Sequence, residues 1–262
     1  MFEESKEPKM ILQKIARGIR EHDWFVVVVE LLVVVIGLMM AFQLDRWREA
    51  GNERELEQKY LARLTSDLES DIPALQLGID LQTIRLEMSE LLMASVEDPE
   101  AAVKNPAVFL AAVDQAAFTF TPTLVSHTFE DLRATGNMRL IQNQNLKEAL
   151  YDYYAYDETQ RQYRPLEFTT EFRHFELVAG VLNYDQVRLV QDEILYISPR
   201  RIEEARALEV DTVEVLLAAK RLAERPQVRD WLPQIRRMQL EQIDVHRKRL
   251  ERAEAVLTIL KN

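Results

Sequence analysis

The chain has 262 residues and no cysteine, which excludes a disulfide scaffold, a thiolate zinc site and a cysteine nucleophile. Only six residues are glycine, too few for a turn-dense β-sandwich. The net charge of −11 argues against nucleic-acid binding, which needs a basic face. We therefore predict a mainly α protein of one or two domains with no nucleic-acid partner.

Residues 1–23 form a charged N-terminal segment with an amphipathic stretch at 10–22. On a helix the stretch has an apolar face and a basic face, as expected for a helix at a membrane surface. The apolar face holds Ile11, Leu12, Ile15 and Ile19, and the basic face holds Lys14, Arg17 and Arg20. We predict a cytoplasmic segment at 1–23 with a short interfacial helix at 10–22.

Residues 24–44 form an apolar run of 21 residues with one charge, Glu30. As a helix it extends over about 31 Å, the thickness of a bilayer core. Trp24 and Trp47 lie at its two ends, where aromatic side chains act as interfacial anchors. A buried core helix and a cleaved signal peptide are the alternatives, but the run lacks a polar face and exceeds a signal peptide's apolar region. We predict an uncleaved transmembrane signal anchor.

The orientation of this span depends on the basic residues beside it, and these are balanced. The 20 residues on each side contain five Lys or Arg residues. A long C-terminal domain is translocated largely regardless of its charges. We therefore expect a cytoplasmic N-terminus and a C-terminal domain outside, and the reverse orientation is the alternative.

Glu30 lies inside the predicted span, about 9 Å from Trp24 along a helix. A carboxyl group at this depth is costly and suggests a function. A partner-helix contact, a bond to a ligand and a proton site are the functional interpretations, and a protonated or snorkelling side chain is the structural one. Gly37 and Ala41 have the small-xxx-small spacing that permits close helix approach. We predict that Glu30, Gly37 and Ala41 contact a partner.

Residues 45–262 have the periodicity of a helical-bundle domain with long helices. Pro73 predicts a break, because proline cannot donate a helical hydrogen bond. A strand is an alternative at 184–196, where Val187 and Ile194 lie. The predicted helices are 24–71, 74–95, 100–115, 126–134, 144–164, 166–182, 199–224 and 230–260.

The last predicted helix has a narrow apolar seam and a basic charge. The seam predicts packing against a long helix within 50–95. Residues 221–262 hold 10 basic and 6 acidic residues, whereas residues 51–220 hold 16 basic and 30 acidic ones. We expect the last helix to lie along the acidic body. The alternative is that lipid head groups or an acidic partner contact Arg247, Lys248, Arg249 and Arg252.

The chain contains little that could carry catalysis. Glu171 and His174 form an E-x-x-H sequence, but a di-iron bundle site needs two of these and two further carboxylates. Walker, G-x-G-x-x-G, H-E-x-x-H and G-x-S-x-G sequences are absent. We therefore predict no metal, no cofactor, no catalytic residues and no enzymatic activity.

Aromatic residues are concentrated between 151 and 175. Five of the eight tyrosines lie at 151–163, and Phe168, Phe172 and Phe175 follow at helical spacing. Core packing between two helices is one interpretation, and a ligand pocket is another. A third is a protein-contact surface, since aromatic residues are enriched in interfaces. Its candidate residues are Tyr151, Tyr153, Tyr154 and Tyr156.

Two segments resemble an uncharacterised family of bacterial single-pass membrane proteins, a domain of unknown function. Residues 30–60 (ELLVVVIGLMMAFQLDRWREAGNERELEQKY) resemble its Glu-led VVIG-type span followed by Trp and charged residues. Residues 128–154 (TFEDLRATGNMRLIQNQNLKEALYDYY) are similar to its T-[FY]-x-x-L-x-x-T-G-N-x-R-L-I run. Asp45 and Arg46 depart from the family's asparagines. The resemblance covers 58 of 262 residues and implies a helical protein anchored in the bacterial inner membrane, with a periplasmic domain in our orientation.

These features favour a non-catalytic interaction protein, an accessory or scaffold subunit of a larger membrane complex. The expected partners are the lipid bilayer and other membrane protein subunits, which would contact Glu30 and the helical domain. A homo-oligomer is a further expectation. The alternative is a membrane-anchored sensor that binds a small ligand or peptide, although a cytoplasmic N-terminus of 23 residues leaves little room for an output domain.

Overall fold

The computed structural model of the protein describes residues 24–194 and 198–262. Within these ranges the chain folds into α-helices and two 3-10 helices, and it contains no strand. The mainly α class is therefore confirmed for the described residues. The predicted segment at 1–23 with its helix at 10–22 lies outside them.

Most predicted helices are present with different ends, but the predicted helix at 100–115 is a 3-10 helix followed by an α-helix, and the helix Tyr184–Glu193 was not predicted. Three of the α-helices begin with proline, which suits the first helical position because an N–H at that position would have no partner within the helix. The α-helices are α1 Trp24–Glu97, α2 Pro106–Gln115, α3 His127–Ala134, α4 Gln144–Arg161, α5 Arg164–Val178, α6 Tyr184–Glu193, α7 Pro199–Arg206, α8 Thr212–Ala223 and α9 Pro226–Lys261. The 3-10 helices are Pro99–Lys104 and Asn137–Leu140.

The chain divides into two compact units, Met1–Lys59 and Tyr60–Asn262. In the first unit the described residues all belong to α1, and residues 24–49 are exposed. Residues 45–59, which the sequence assigns to the extramembrane domain, belong with this first unit. The second unit contains the remaining helices and the packed core.

Helix α1 continues through Pro73, and the predicted break there is wrong. Proline removes the hydrogen bond to the carbonyl of Glu69, but Glu69 and Pro73 both lie on the exposed side, where water can replace it. On the opposite side Leu68 and Leu75 are fully buried. Burial of residues before and after the proline therefore keeps the helix continuous.

Two further predictions are corrected in the C-terminal half. The strand alternative at 184–196 is wrong for the described residues, because α6 occupies most of that segment. Asn183 and Gln186 form a reciprocal capping box that starts α6. The predicted helix at 199–224 is two helices, since Asp211 caps a new one by accepting from the Val213 N–H at 2.8 Å.

Two clusters of buried apolar residues form the core of the second unit. One lies among the C-terminal part of α1, helices α2 and α8, and the start of α9, and it includes Leu92 and Phe109. The other lies among the preceding part of α1, helices α3 and α4, and the end of α9, and it includes Leu68 and Leu150. Helices α1 and α9 contribute to both clusters and therefore join them.

Helices α1 and α9 pack along each other in opposite directions. Lys261 Nζ lies 2.9 Å from Glu69 Oε1, and further along α1 Gly78 faces His246. A Cβ atom at Gly78 would lie 3.1 Å from the imidazole ring, so the close approach depends on this glycine. The predicted packing of the last helix against the helix at 50–95 is confirmed.

Residues 116–126 form an internal segment without regular secondary structure between α2 and α3, and side chains of the helices bind its backbone. Gln239 donates to two of its carbonyl oxygens at 2.8 and 3.0 Å, and Tyr154 donates to a third at 3.1 Å. Glu171 and Asp71 accept from two of its N–H groups at 2.6 and 2.9 Å. Because a buried peptide group without a partner is costly, these bonds explain why polar side chains occupy the interior.

Candidate interaction surfaces

Glu30, Gly37 and Ala41 share one face of α1 in the first unit. At about 100° per residue, Gly37 and Ala41 lie about 20° to either side of Glu30. A Cβ atom at Gly37 would have no atom within 4 Å. One partner helix could therefore contact the carboxyl group and both small residues, and this contact stays a prediction.

Residues 24–44 of α1 are exposed on every face of the helix. Trp24 and Trp47, the predicted interfacial anchors, are exposed as well. Among the described residues, α1 is the one helix that is long and apolar enough to cross a membrane. This part of the chain is compatible with a single-pass anchor, and a signal sequence near the N-terminus would have the same features.

Tyr153 and Tyr154 lie in the interior, and their predicted place on a contact surface is corrected. Tyr153 donates to Asp71 Oδ2 at 2.8 Å, and the ring of Tyr154 stacks on Phe129 at 4.2 Å. Burial raises the pKa of Asp71 to about 6, although the hydrogen bonds from Val125 and Tyr153 lower it. These tyrosines therefore stabilise the core rather than a partner.

Tyr151 and Tyr156 differ from their two neighbours in exposure. Tyr151 is exposed and packs edge-on against Phe129 at 5.4 Å. Tyr156 is half-buried, and the guanidinium of Arg252 lies 4.2 Å above its ring. A partner could reach both side chains, so their contact role stays a prediction.

The basic side chains of α9 bind the acidic body, as predicted. Arg249 is fully buried, and its Nη2 lies 2.8 Å from Asp157 Oδ1. Burial lowers the pKa of Arg249, and the nearby Asp157 carboxylate opposes this effect. Arg252 Nε lies 2.8 Å from Asp152 Oδ2. The alternative of lipid or partner contact is therefore wrong for Arg249.

Glu171 and His174 of the E-x-x-H sequence stabilise the fold through hydrogen bonds. Glu171 binds the internal segment through the N–H and the hydroxyl of Thr119. His174 Nε2 lies 2.9 Å from the carbonyl oxygen of Val113, and burial lowers the pKa of His174 to about 4. Within the described residues no three His, Asp or Glu side chains are placed to hold a metal ion.

The segments 30–60 and 128–154, which the sequence analysis singles out, meet at Tyr60. Its hydroxyl donates to Asp131 Oδ2 at 3.1 Å and accepts from Asn137 Nδ2 at 3.1 Å. Gly136, between these two residues, has a φ of 72°, which a side chain would disfavour. The T-G-N sequence therefore has a structural role, in which α3 ends and its connection contacts α1.

A groove of about 710 Å³ runs between α9 and helices α4 and α5. Four of its charged groups form ion pairs: Lys248 Nζ lies 2.6 Å from Asp244, and Arg237 Nε lies 2.7 Å from Glu241. Glu167 accepts from the neutral amide of Gln242 at 2.6 Å, so the groove is an amphipathic surface whose lining carries one net negative charge. Its lining residues are Tyr156, Gln160, Tyr163, Leu166, Glu167, Thr170, Trp231, Gln234, Arg237, Met238, Glu241, Gln242, Asp244, Val245 and Lys248.

Helix α5 has an exposed aromatic face that the sequence analysis does not predict. Phe168, Phe172 and Phe175 lie within about 60° on the helix and are 65%, 66% and 39% exposed. We call these three side chains the Phe face. The core-packing interpretation is therefore wrong for Phe168 and Phe172, whereas Phe175 also packs on Phe118, with ring centroids 5.4 Å apart. The sequence of α5 has no apolar inner face that would have marked these phenylalanines as exposed, because its buried face is largely polar.

Comparisons of the chain with protein families, curated proteins and solved structures find no match.

Proposed function

We propose that this protein is a non-catalytic interaction protein of the bacterial inner membrane, an accessory or scaffold subunit of a larger complex. Residues 24–44 would anchor it as a single span, and the helical unit Tyr60–Asn262 would dock partners. The exposure of every residue from 24 to 44 carries the proposal. A helix that is apolar on all its faces is stable when hydrocarbon surrounds it.

Surfaces rather than a reactive cleft support the docking role. The Phe face is largely exposed, and so is the face of α1 that holds Glu30, Gly37 and Ala41. Exposed apolar faces mark contact sites. The most buried titratable groups are engaged in the fold instead. His174 binds a backbone carbonyl, and Asp157 binds Arg249.

Replacing Glu30 by leucine should remove a membrane partner from the complex recovered in mild detergent. Leucine inserts into a bilayer at least as well as glutamate but offers no polar contact, so membrane insertion should be unchanged. Native separation and identification of co-migrating proteins measure the loss. Val35→Leu on the opposite face is the matched control and should leave the complex intact. Unchanged recovery with Glu30→Leu would contradict the Glu30 contact.

The proposed orientation has its own test. A fusion of alkaline phosphatase after Asn262 should be active, because the enzyme folds only outside the cytoplasm. A fusion of green fluorescent protein at the same position should be dark for the same reason. The opposite pair of results would place the C-terminal domain in the cytoplasm and reverse the topology, while leaving the anchor itself unaffected.

The groove between α9 and helices α4 and α5 favours a second candidate, a membrane-anchored sensor. Its volume of about 710 Å³ is within the range of small-molecule sites. Trp231 and Met238 supply apolar surface, and Gln160 and Gln234 supply amide groups. Because the lining holds two ion pairs and one further carboxylate, Glu167, the ligand of such a sensor would be a neutral or singly cationic molecule or peptide.

A further inference from the structure

The Phe face is largely uncovered although α5 has an inner face that could take apolar residues. Over the whole length of α5, which the structure describes, His174 and Val178 are the buried residues. A helix normally turns its phenylalanines inward, because burial of aromatic area is favourable. In α5 the inner positions instead hold Glu171 and His174, which bind backbone groups. The fold of one copy therefore leaves Phe168 and Phe172 outside, whereas Phe175 is covered in part by the ring of Phe118, with centroids 5.4 Å apart.

The Phe face is electrically neutral, in contrast to the rest of the domain. Arg173 and Glu176 flank it and bind each other, with Nη1 and Oε2 3.0 Å apart. Residues 51–220 as a whole have 30 acidic and 16 basic residues. An acidic or basic partner would gain no charge complementarity here. A second copy presents an equally neutral aromatic face and can meet it without bringing the acidic surfaces into contact.

We propose that two copies of this chain pair through their Phe faces, with α5 of one copy packed on α5 of the other. The intervals of four and three residues are those of helix–helix seams, in which side chains of two helices interlock. A two-fold axis at Phe172 brings the same surface of each copy together. The pairing rests on the proposed function in one respect: a shared membrane anchor confines the copies to one bilayer and raises their effective concentration.

A single engineered cysteine tests this geometry directly, because the chain has none of its own. Phe172→Cys in membranes should form a disulfide-linked dimer under mild oxidation. Leu166→Cys is the matched control: Leu166 lies on the same helix at 65% exposure but about 120° around from Phe172. Equal cross-linking of both variants, or a monomeric Phe172→Cys, would overturn the proposal.

A second measurement uses the full chain in detergent. Light scattering should give the wild type the mass of a dimer and Phe172→Glu the mass of a monomer. The substitution places two like charges at the two-fold axis. Leu166→Glu should remain a dimer. The circular dichroism spectra should show the same helix content for both variants, since neither side chain is buried within one copy. A dimer that survives Phe172→Glu, or one that Leu166→Glu dissociates, would overturn the proposal.

Failure of the pairing is distinguishable from failure of the proposed function. A wild-type chain that is monomeric but co-purifies with other membrane subunits overturns the pairing and leaves the scaffold role in place. A dimer without other subunits supports the pairing and argues against the scaffold role.

Discussion

Replacing Asp157 by leucine is expected to lower the free energy of unfolding by about 3 to 5 kcal/mol. Asp157 Oδ1 lies 2.8 Å from Arg249 Nη2, and Arg249 is fully buried. A guanidinium stays protonated even when burial lowers its pKa, so the variant keeps a buried charge without its carboxylate. Denaturant unfolding of the full chain in detergent, followed by circular dichroism, measures the change.

Two further variants test whether the loss comes from the buried partner. Arg161→Ala removes a second bond to Asp157, at 2.8 Å, but the Arg161 side chain is half exposed. This variant should cost no more than about 1 kcal/mol, the usual range for an exposed pair. The double variant Asp157→Leu/Arg249→Met should recover most of the lost stability. Similar losses for Asp157→Leu and Arg161→Ala would contradict the assigned role of the buried pair.

Acidification from pH 6.5 to pH 4 is expected to destabilise the domain by several kcal/mol. Burial lowers the pKa of His174 and of His246 from 6.5 to about 4. Between these values the unfolded chain binds more protons than the folded one, so stability falls as the pH falls. At about 1.4 kcal/mol per pKa unit, each histidine contributes about 3 kcal/mol. Unfolding midpoints measured across this pH range test the expectation.

Asp71 has the opposite effect on the pH profile. Its pKa is raised from 3.8 to about 6, so its contribution is present at low pH and is lost as the pH rises through 6. Asp71→Asn should therefore make the loss of stability on acidification steeper, and His246→Gln should make it shallower. His127→Gln, at an exposed position, is the control and should leave the slope unchanged. A slope that His246→Gln does not alter would argue against a buried neutral histidine.

Regular hydrophobic spacing made much of the fold predictable. The stripe that contains Leu64 and Leu68 gives α1, and the seam of the last helix gives its packing on α1. Such spacing predicts a helix and places its apolar residues on one side, because a helix repeats every 3.6 residues. The continuity of α1 through Pro73 was not predictable in the same way, since it depends on whether the unpaired carbonyl faces water or the core.

The interaction surfaces were harder to predict because helical spacing does not say which side of a helix is covered. Tyr153 and Phe172 are both aromatic residues at helical intervals, yet the first is buried and the second is 66% exposed. The difference depends on distant residues. Asp71 accepts a hydrogen bond from the hydroxyl of Tyr153 in the interior, whereas Glu171 occupies the inner side of α5. A single sequence does not reveal pairings between residues so far apart along the chain.

The internal segment at 116–126 has a consequence for the order in which the chain can complete its fold. Its backbone partners are distant along the chain, with Glu171 52 residues after Thr119 and His246 126 residues after Phe120. Contacts between residues so distant along the chain are slow to form, because a long loop must first be closed at a cost in chain entropy. The bonds from Gln239 and His246 can form only after the ribosome has released α9, whereas Asp71, Tyr154 and Glu171 are made earlier. The last helix therefore completes the internal hydrogen bonding of this segment.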